Sequence, residues 1–218
     1  MSAQLPEIEA ALRAGGHSNP TKTAAKIFET LHTPHLQADP ITTRTKSRLM
    51  LVLLRQLLPL VEEIAEIDKV IKELFFTHED KEVFSSLPRA GKRLAPRLLA
   101  EIGDDRDRYR DASSLAARSS TSPVIFQSGT YAKAHRRYAC SKPLRNALHQ
   151  FAWQTTQSEP WARDYYQRKR VEGKSHTEAV RALSNVWTRI IFAIWRKHEC
   201  YETATFLAAQ RSHTPTAA

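Results

Sequence analysis

Seven apolar residues, Leu53, Leu57, Leu60, Ile64, Ile67, Ile71 and Leu74, recur at spacings of 4, 3, 4, 3, 4 and 3. Only an α-helix brings residues so spaced onto one stripe, and this alternation is the a/d seam of a heptad repeat. Glu62, Glu63, Glu66, Asp68, Lys69, Lys72 and Glu73 fill the outer positions. Pro59 lies inside the segment. It lacks an N–H and crowds the preceding turn, which predicts a kink or a division of the helix there. About three heptads is a length at which the seam can either lie on its own domain or pair with a second copy as a coiled coil.

Helical periodicity recurs beyond this segment, β-branched alternation is rare, and glycine is scarce, with 6 residues. The expected class is all-α: a long amphipathic helix, then a helical domain. Four segments follow. Residues 1–41 hold Gly15-Gly16 and several prolines, and read as a weakly structured lead-in with one short helix around Thr23–Leu31. Residues 42–78 form the heptad connector, 79–208 the helical domain, and 209–218 a disordered tail.

Charge divides the chain. Residues 1–85 carry 10 Lys/Arg against 12 Asp/Glu, and residues 86–218 carry 23 against 11. The second part holds all of the excess, which favours a nucleic-acid face over a uniformly basic protein. No long apolar run or strongly basic amphipathic face suggests a membrane. Cys140 and Cys200 stand far apart without a disulfide or zinc pattern, as expected in a reducing cytosol. The first residues lack the charged and apolar regions of a secretory signal.

Val83 to Asp104 reads as helix, tight turn through Pro88 and Gly91, second helix, and a glycine stop at Gly103. This is the outline of a helix-hairpin-helix, whose turn amides and second-helix N-terminus can meet a phosphate. Arg89, Gly91, Lys92 and Arg93 stand at that end as candidate DNA-binding residues, against the alternative of an ordinary turn with solvated charges. Asp104 to Asp111 alternates acids with arginines and reads as a solvated, self-paired loop rather than a metal site.

From Ala112 to Ser158 there is no acidic residue, while Arg118, Lys133, Arg136, Arg137, Lys142 and Arg145 all fall within that window, together with His135 and His149. A polyanion suits such a surface, because each cation placed on a phosphate releases a condensed counterion. Lys133, Arg136, Arg137, Lys142 and Arg145 are therefore candidate DNA contacts. Gln127-Ser128-Gly129 lies in the same window, and Ser128 reads as either a loop residue or a nucleophile aimed at a phosphodiester. A serine hydroxyl needs its proton removed or the developing charge stabilised, and phosphoryl transfer leans mainly on positioning and cations. No Gly-x-Ser-x-Gly elbow surrounds Ser128, which argues against an acyl hydrolase.

Three helices follow. Ser141-Lys142-Pro143 opens the first, Ser158-Glu159-Pro160-Trp161 the second, and the capping box Ser175-His176-Thr177-Glu178 the third. Val180, Leu183, Trp187, Ile190, Ile191 and Ile194 make the third a core helix, with Trp187 and Trp195 expected to pack inside. Tyr165, Tyr166, Arg168, Lys169 and Arg170 form an aromatic-basic cluster, either a DNA face or a solvated helix end.

Several of these blocks occur in the order of one known family. Leu87-Pro88-Arg89-Ala90-Gly91, Leu98 to Asp104, Ser122 to Gly129, Ala139 to Leu148, Trp161 to Tyr166 and Ala179 to Leu183 resemble the C-terminal transposase domain of the IS110/IS116/IS902 insertion-sequence family. The resemblance covers about residues 80 to 208, and the heptad helix is similar to that family's coiled-coil connector.

The resemblance implies a DNA recombinase guided by a structured RNA and assembled as an oligomer through the connector. It places the nucleophile at Ser128, which would hold the cleaved strand as a phosphoserine. It also implies a RuvC-like domain with carboxylates for Mg²⁺. The first 50 residues contain only Glu7, Glu9, Glu29 and Asp39 as acids, so no cofactor is expected in this chain, which reads as a truncated C-terminal part. Arg89 stands where the family usually has glycine. The expected function is DNA transposition in the bacterial cytoplasm, at the nucleoid. The alternative is a non-enzymatic helical DNA- or RNA-binding protein.

Overall fold

The computed structural model describes residues 4–34, 36 and 38–213. The chain divides into two units, Met1–Glu62 and Glu63–Ala218. The first contains α1 (Leu5–Ala14) and α2 (Pro20–His32), packed on each other. The lead-in is thus more ordered than its glycines and prolines suggest. Pro6 and Pro20 sit in the first turns of these helices, where a missing N–H costs nothing. Asn19 caps α2, and Thr21 Oγ1 donates to Glu9 Oε1 across the pair at 2.8 Å.

The heptad segment forms α3 (Pro40–Thr77), which is not divided at Pro59. All seven seam residues are exposed, from 42% at Ile71 to 66% at Leu74. At its C-terminal end Ile71 and Leu74 line a shallow cavity with Pro96 and Leu99 of the helical domain. Phe75, outside the seam, is the buried residue of this helix.

The second unit is mostly helical, as expected. It contains α4 (Lys81–Ser85), α5 (Gly91–Ile102), a 3₁₀ turn (Arg106–Arg108), α6 (Ala112–Arg118), α7 (Lys142–Thr155), α8 (Pro160–Val171), α9 (His176–Lys197) and α10 (Thr203–His213). The expected tail, 209–218, begins within α10, and 214–218 lie outside the described residues. Helix α9 is the centre: α6, α7 and α8 pack on it, and α5 packs on α7. Its inward stripe, Val180, Leu183, Trp187, Ile191 and Trp195, is buried against Leu144, Leu148 and Phe151 of α7. The caps read from sequence form as expected. Ser141 Oγ accepts from Leu144 N at 3.4 Å, and Ser175 and Glu178 close a reciprocal capping box.

Two features depart from the expected pattern. The acid-arginine segment is not wholly a solvated loop, since Arg106 turns inward onto the buried carboxylate of Asp80. The Ser128 segment is not a loop but a hairpin of β1 (Val124–Ser128) and β2 (Tyr131–His135). Val124-Ile125-Phe126 is β-branched and aromatic, and Gly129 supplies the tight turn, so the local chemistry favours strands.

Candidate nucleic-acid interface

The hairpin pairs antiparallel from Val124 opposite His135 to Ser128 opposite Tyr131, leaving Gly129-Thr130 as a two-residue loop. Gly129 has φ 56° and Thr130 does not enter the left-handed region, the pattern of a II′ turn with glycine first. Strand alternation puts Val124, Phe126, Ser128, Tyr131, Lys133 and His135 on one face. Phe126 and His135 meet edge to face, with ring centroids 5.0 Å apart.

Ser128 is exposed at the tip, about 13 Å from the hairpin base at the usual rise per strand residue. Its hydroxyl has no hydrogen bond among the described residues. Lys133, one diagonal step away on the same face, is the nearest cation in the ladder. Nothing in the hairpin is acidic, so no carboxylate there can serve as base or metal ligand. No group of three or more His, Cys, Asp or Glu gathers to hold a metal ion among the described residues.

The other candidate DNA contacts fall in two places. Arg89, Gly91, Lys92 and Arg93 lie at the α4–α5 turn. Here α4 is only five residues long. Arg93 pairs with Asp68 at 2.9 Å, and Arg89 Nη2 donates to Gln157 Oε1 at 3.0 Å, so two of the three charges already have partners. Lys92 is exposed. Arg89 has φ 62°, a backbone state that glycine adopts without strain, which accounts physically for a glycine in that position of the resembled family.

Arg136, Arg137, Lys142 and Arg145 lie at the hairpin base and the start of α7. The backbone of Arg137 is tied to the helical body by Ser120, whose Oγ donates to its carbonyl at 2.5 Å. Lys142 is exposed, and Arg145 is oriented by two hydrogen bonds to Asn146 Oδ1 at 3.2 and 3.3 Å.

A groove of about 900 Å³ opens beside this base, and the hairpin end, α8, α9 and α10 line it. Arg136, Lys169, Lys174, Arg181 and Arg189 contribute five cations, while Glu178 is the single acid among the described lining residues. Glu178 is engaged by its capping role. Hydrogen bonds from the Ser175 side chain and backbone hold its carboxyl below the usual range. Tyr138 and Tyr165 offer aromatic faces in the same groove, with Arg136 5.7 Å from the Tyr138 centroid and Arg168 5.1 Å from that of Tyr165. Cations and aromatic faces in one trough are the components that hold a nucleic-acid strand by phosphate and base together.

Lys174, Arg181 and Arg189 were not among the candidates read from sequence. They lie outside the acid-free window, but a signal was present. Glu178, Arg181, Ala182, Asn185 and Arg189 recur at helical spacing on the face of α9 opposite its buried stripe, with Ile190, half-buried against the core, at the edge of that face.

A family model described as "Transposase IS116/IS110/IS902 family" matches residues 81–167. The candidate transposase of the IS117 mini-circle from Streptomyces coelicolor is 30% identical over 215 residues, covering 97% of this chain and 50% of that protein. The uncharacterized 42 kDa protein of insertion element IS900 from Mycobacterium paratuberculosis is 31% identical over 213 residues, covering 95% of this chain and 52% of that protein. The uncharacterized 44.8 kDa protein of insertion element IS116 from Streptomyces clavuligerus is 33% identical over 183 residues, covering 83% and 45%. The chain spans about half the length of the curated relatives it matches. Residues 81–167 thus match the transposase domain of the IS116/IS110/IS902 family, and over most of its length the chain is similar to proteins of these insertion elements.

Proposed function

We propose that this chain is the DNA-binding, serine-bearing part of an insertion-sequence transposase, acting in DNA transposition. The observation that carries the reading is the family match over residues 81–167, which encloses Ser128 at an exposed turn within a stretch of chain free of acids from Ala112 to Ser158. In the proposed step the Ser128 hydroxyl gives up its proton and Oγ bonds to a DNA phosphorus. The phosphorus–oxygen bond to the departing strand breaks, and that oxygen takes a proton. Lys133 and the arginines at the hairpin base hold the strand by its phosphates.

The donors around Ser128 do not fit a Mg²⁺ site, since the segment has no carboxylate, and no step is routed through a metal in this chain. The structured guide RNA implied by the family would meet the same basic surface, and a nucleoid setting in the cytoplasm suits a DNA substrate. No helix among the described residues is long and apolar enough to cross a membrane.

A nicked suicide DNA, incubated with the chain, Mg²⁺ and a complementing acidic domain, should yield a covalent protein–DNA adduct that Ser128→Ala abolishes. An undiminished adduct in Ser128→Ala would overturn the nucleophile assignment. Salt-dependent DNA binding with no adduct from either protein would favour the non-enzymatic binder.

The exposed seam of α3 supports self-association. Ile64→Lys puts a charge at a seam position and should shift the mass measured by light scattering from oligomer to monomer. An unchanged mass would remove the seam from the assembly.

A further inference from the structure

A second, smaller pocket of about 190 Å³ adjoins the groove and shares Arg136 and Arg181 with it. Arg136, Arg145, Arg181 and His149 enter it from three elements, with Ser120 and Thr177 at its wall. No carboxylate lines it among the described residues, and none of the three arginines is in an ion pair there. All three arginines and His149 are half-buried. His149 Nε2 is buried and has no hydrogen-bond partner. Ser120 holds φ 57°, a strained state for a serine, fixed by its bond to the Arg137 carbonyl.

Three guanidinium groups gathered in partial burial without a counter-ion are mutually repulsive, and an unpaired buried nitrogen adds a desolvation cost. A tetrahedral oxyanion answers both. It offers several acceptors at once, pairs with arginine forks, and fits a space of a few water volumes.

We infer that this pocket is a preformed seat for a phosphate group of a nucleic-acid strand, held by Arg136, Arg145 and Arg181 with His149 as the fourth donor. The inference rests on the proposed DNA role only for the carrier of the phosphate. It adds Arg181, which lies outside both the family match and the acid-free window, and gives His149, which lies inside both, a ligand.

A pH signature follows. Burial first, and then the charges of His176, Arg181, Arg145 and Arg136, keep His149 below its ordinary pKa, so it is neutral in the free protein near neutral pH. A bound phosphodiester offsets those cations and favours the protonated ring. Binding should therefore strengthen as pH falls through the His149 range, while the diester itself does not titrate there.

The test uses the full chain and fluorescent ten-nucleotide single strands carrying either a 5′-phosphate or a 5′-hydroxyl, with inorganic phosphate as competitor. Arg181→Gln should weaken strand binding about tenfold, and the slope of log affinity against log salt should fall by about one. Arg145→Gln, a second site at the pocket edge, should act in the same direction. His149→Gln should flatten the pH dependence, and strand addition should shift the His149 ring resonances in the wild-type protein.

Stronger binding of the 5′-phosphate strand would make the bound group a terminal monoester, and equal binding would make it a backbone diester. Both support the seat. Wild-type affinity and salt slope in both arginine variants would overturn it. So would inorganic phosphate that shifts His149 without competing with either strand, because the carrier would then not be nucleic acid. Ser128→Ala should bind strands like wild type, so loss of the covalent adduct and loss of the phosphate seat are separate failures.

Discussion

Replacing Asp80 by alanine should lower the stability of the second unit by about 3–5 kcal/mol, read as a shift in the urea midpoint by tryptophan fluorescence. The Asp80 side chain is fully buried. Arg106 Nη1 donates to its Oδ2 at 2.7 Å, Nη2 bonds its Oδ1, and His198 Nδ1 lies 3.2 Å from the same Oδ1. The Arg106 guanidinium is itself largely buried, 5.0 Å from the Trp195 ring centroid. Removing the carboxylate strands that cation in a low-dielectric site, which costs far more than an exposed pair contributes.

The partner test is Arg106→Met combined with Asp80→Leu, which removes both charges and should recover much of the loss. A loss below about 1 kcal/mol for Asp80→Ala would mean that the pair contributes no more than a surface bridge. The pair ties the 3₁₀ turn to the start of α4 and the end of α9. Its loss should loosen that corner before the groove beside the hairpin.

What could be read from the sequence follows the range of the interaction. Caps and stripes are local, so Ser141, Ser175, Glu178 and the buried face of α9 were legible. Arg106 was not, because its acid is Asp80, and nothing at positions 104–111 distinguishes an inward arginine from a solvated one. The hairpin was missed because Val124-Ile125-Phe126 is a short strand signal in a helical chain, although a glycine-led two-residue turn follows it. The acid-free window held Arg136, Arg145 and His149, three of the four groups of the phosphate pocket. Arg181 completes it only through folding, which sets α9 beside α7 and the hairpin base. The seam of α3 was legible as a pattern, and all seven of its residues are exposed.

The second large effect belongs to Trp187. Trp187→Ala should cost about 3–5 kcal/mol, and far-UV circular dichroism in urea measures it without relying on the lost fluorophore. The indole is fully buried, with ring centroids 4.9 Å from Phe151, 4.9 Å from Trp161 and 5.1 Å from Tyr201. Its Nε1 donates to Thr155 Oγ1 at 2.8 Å, so one side chain locks α7, α8 and α9 together. Trp153, 37% exposed, is the internal contrast, and its change to alanine should cost much less. A domain is stable by only about 5–15 kcal/mol, so the Trp187 loss removes a large share of that margin. Nucleic-acid affinity should fall with it, since Asn185, Val186 and Arg189 line the groove from the opposite face of the same helix. If Trp187→Ala keeps its stability yet loses affinity, the indole acts on the bound strand rather than in the core, and the division of α9 into a buried face and a binding face is wrong.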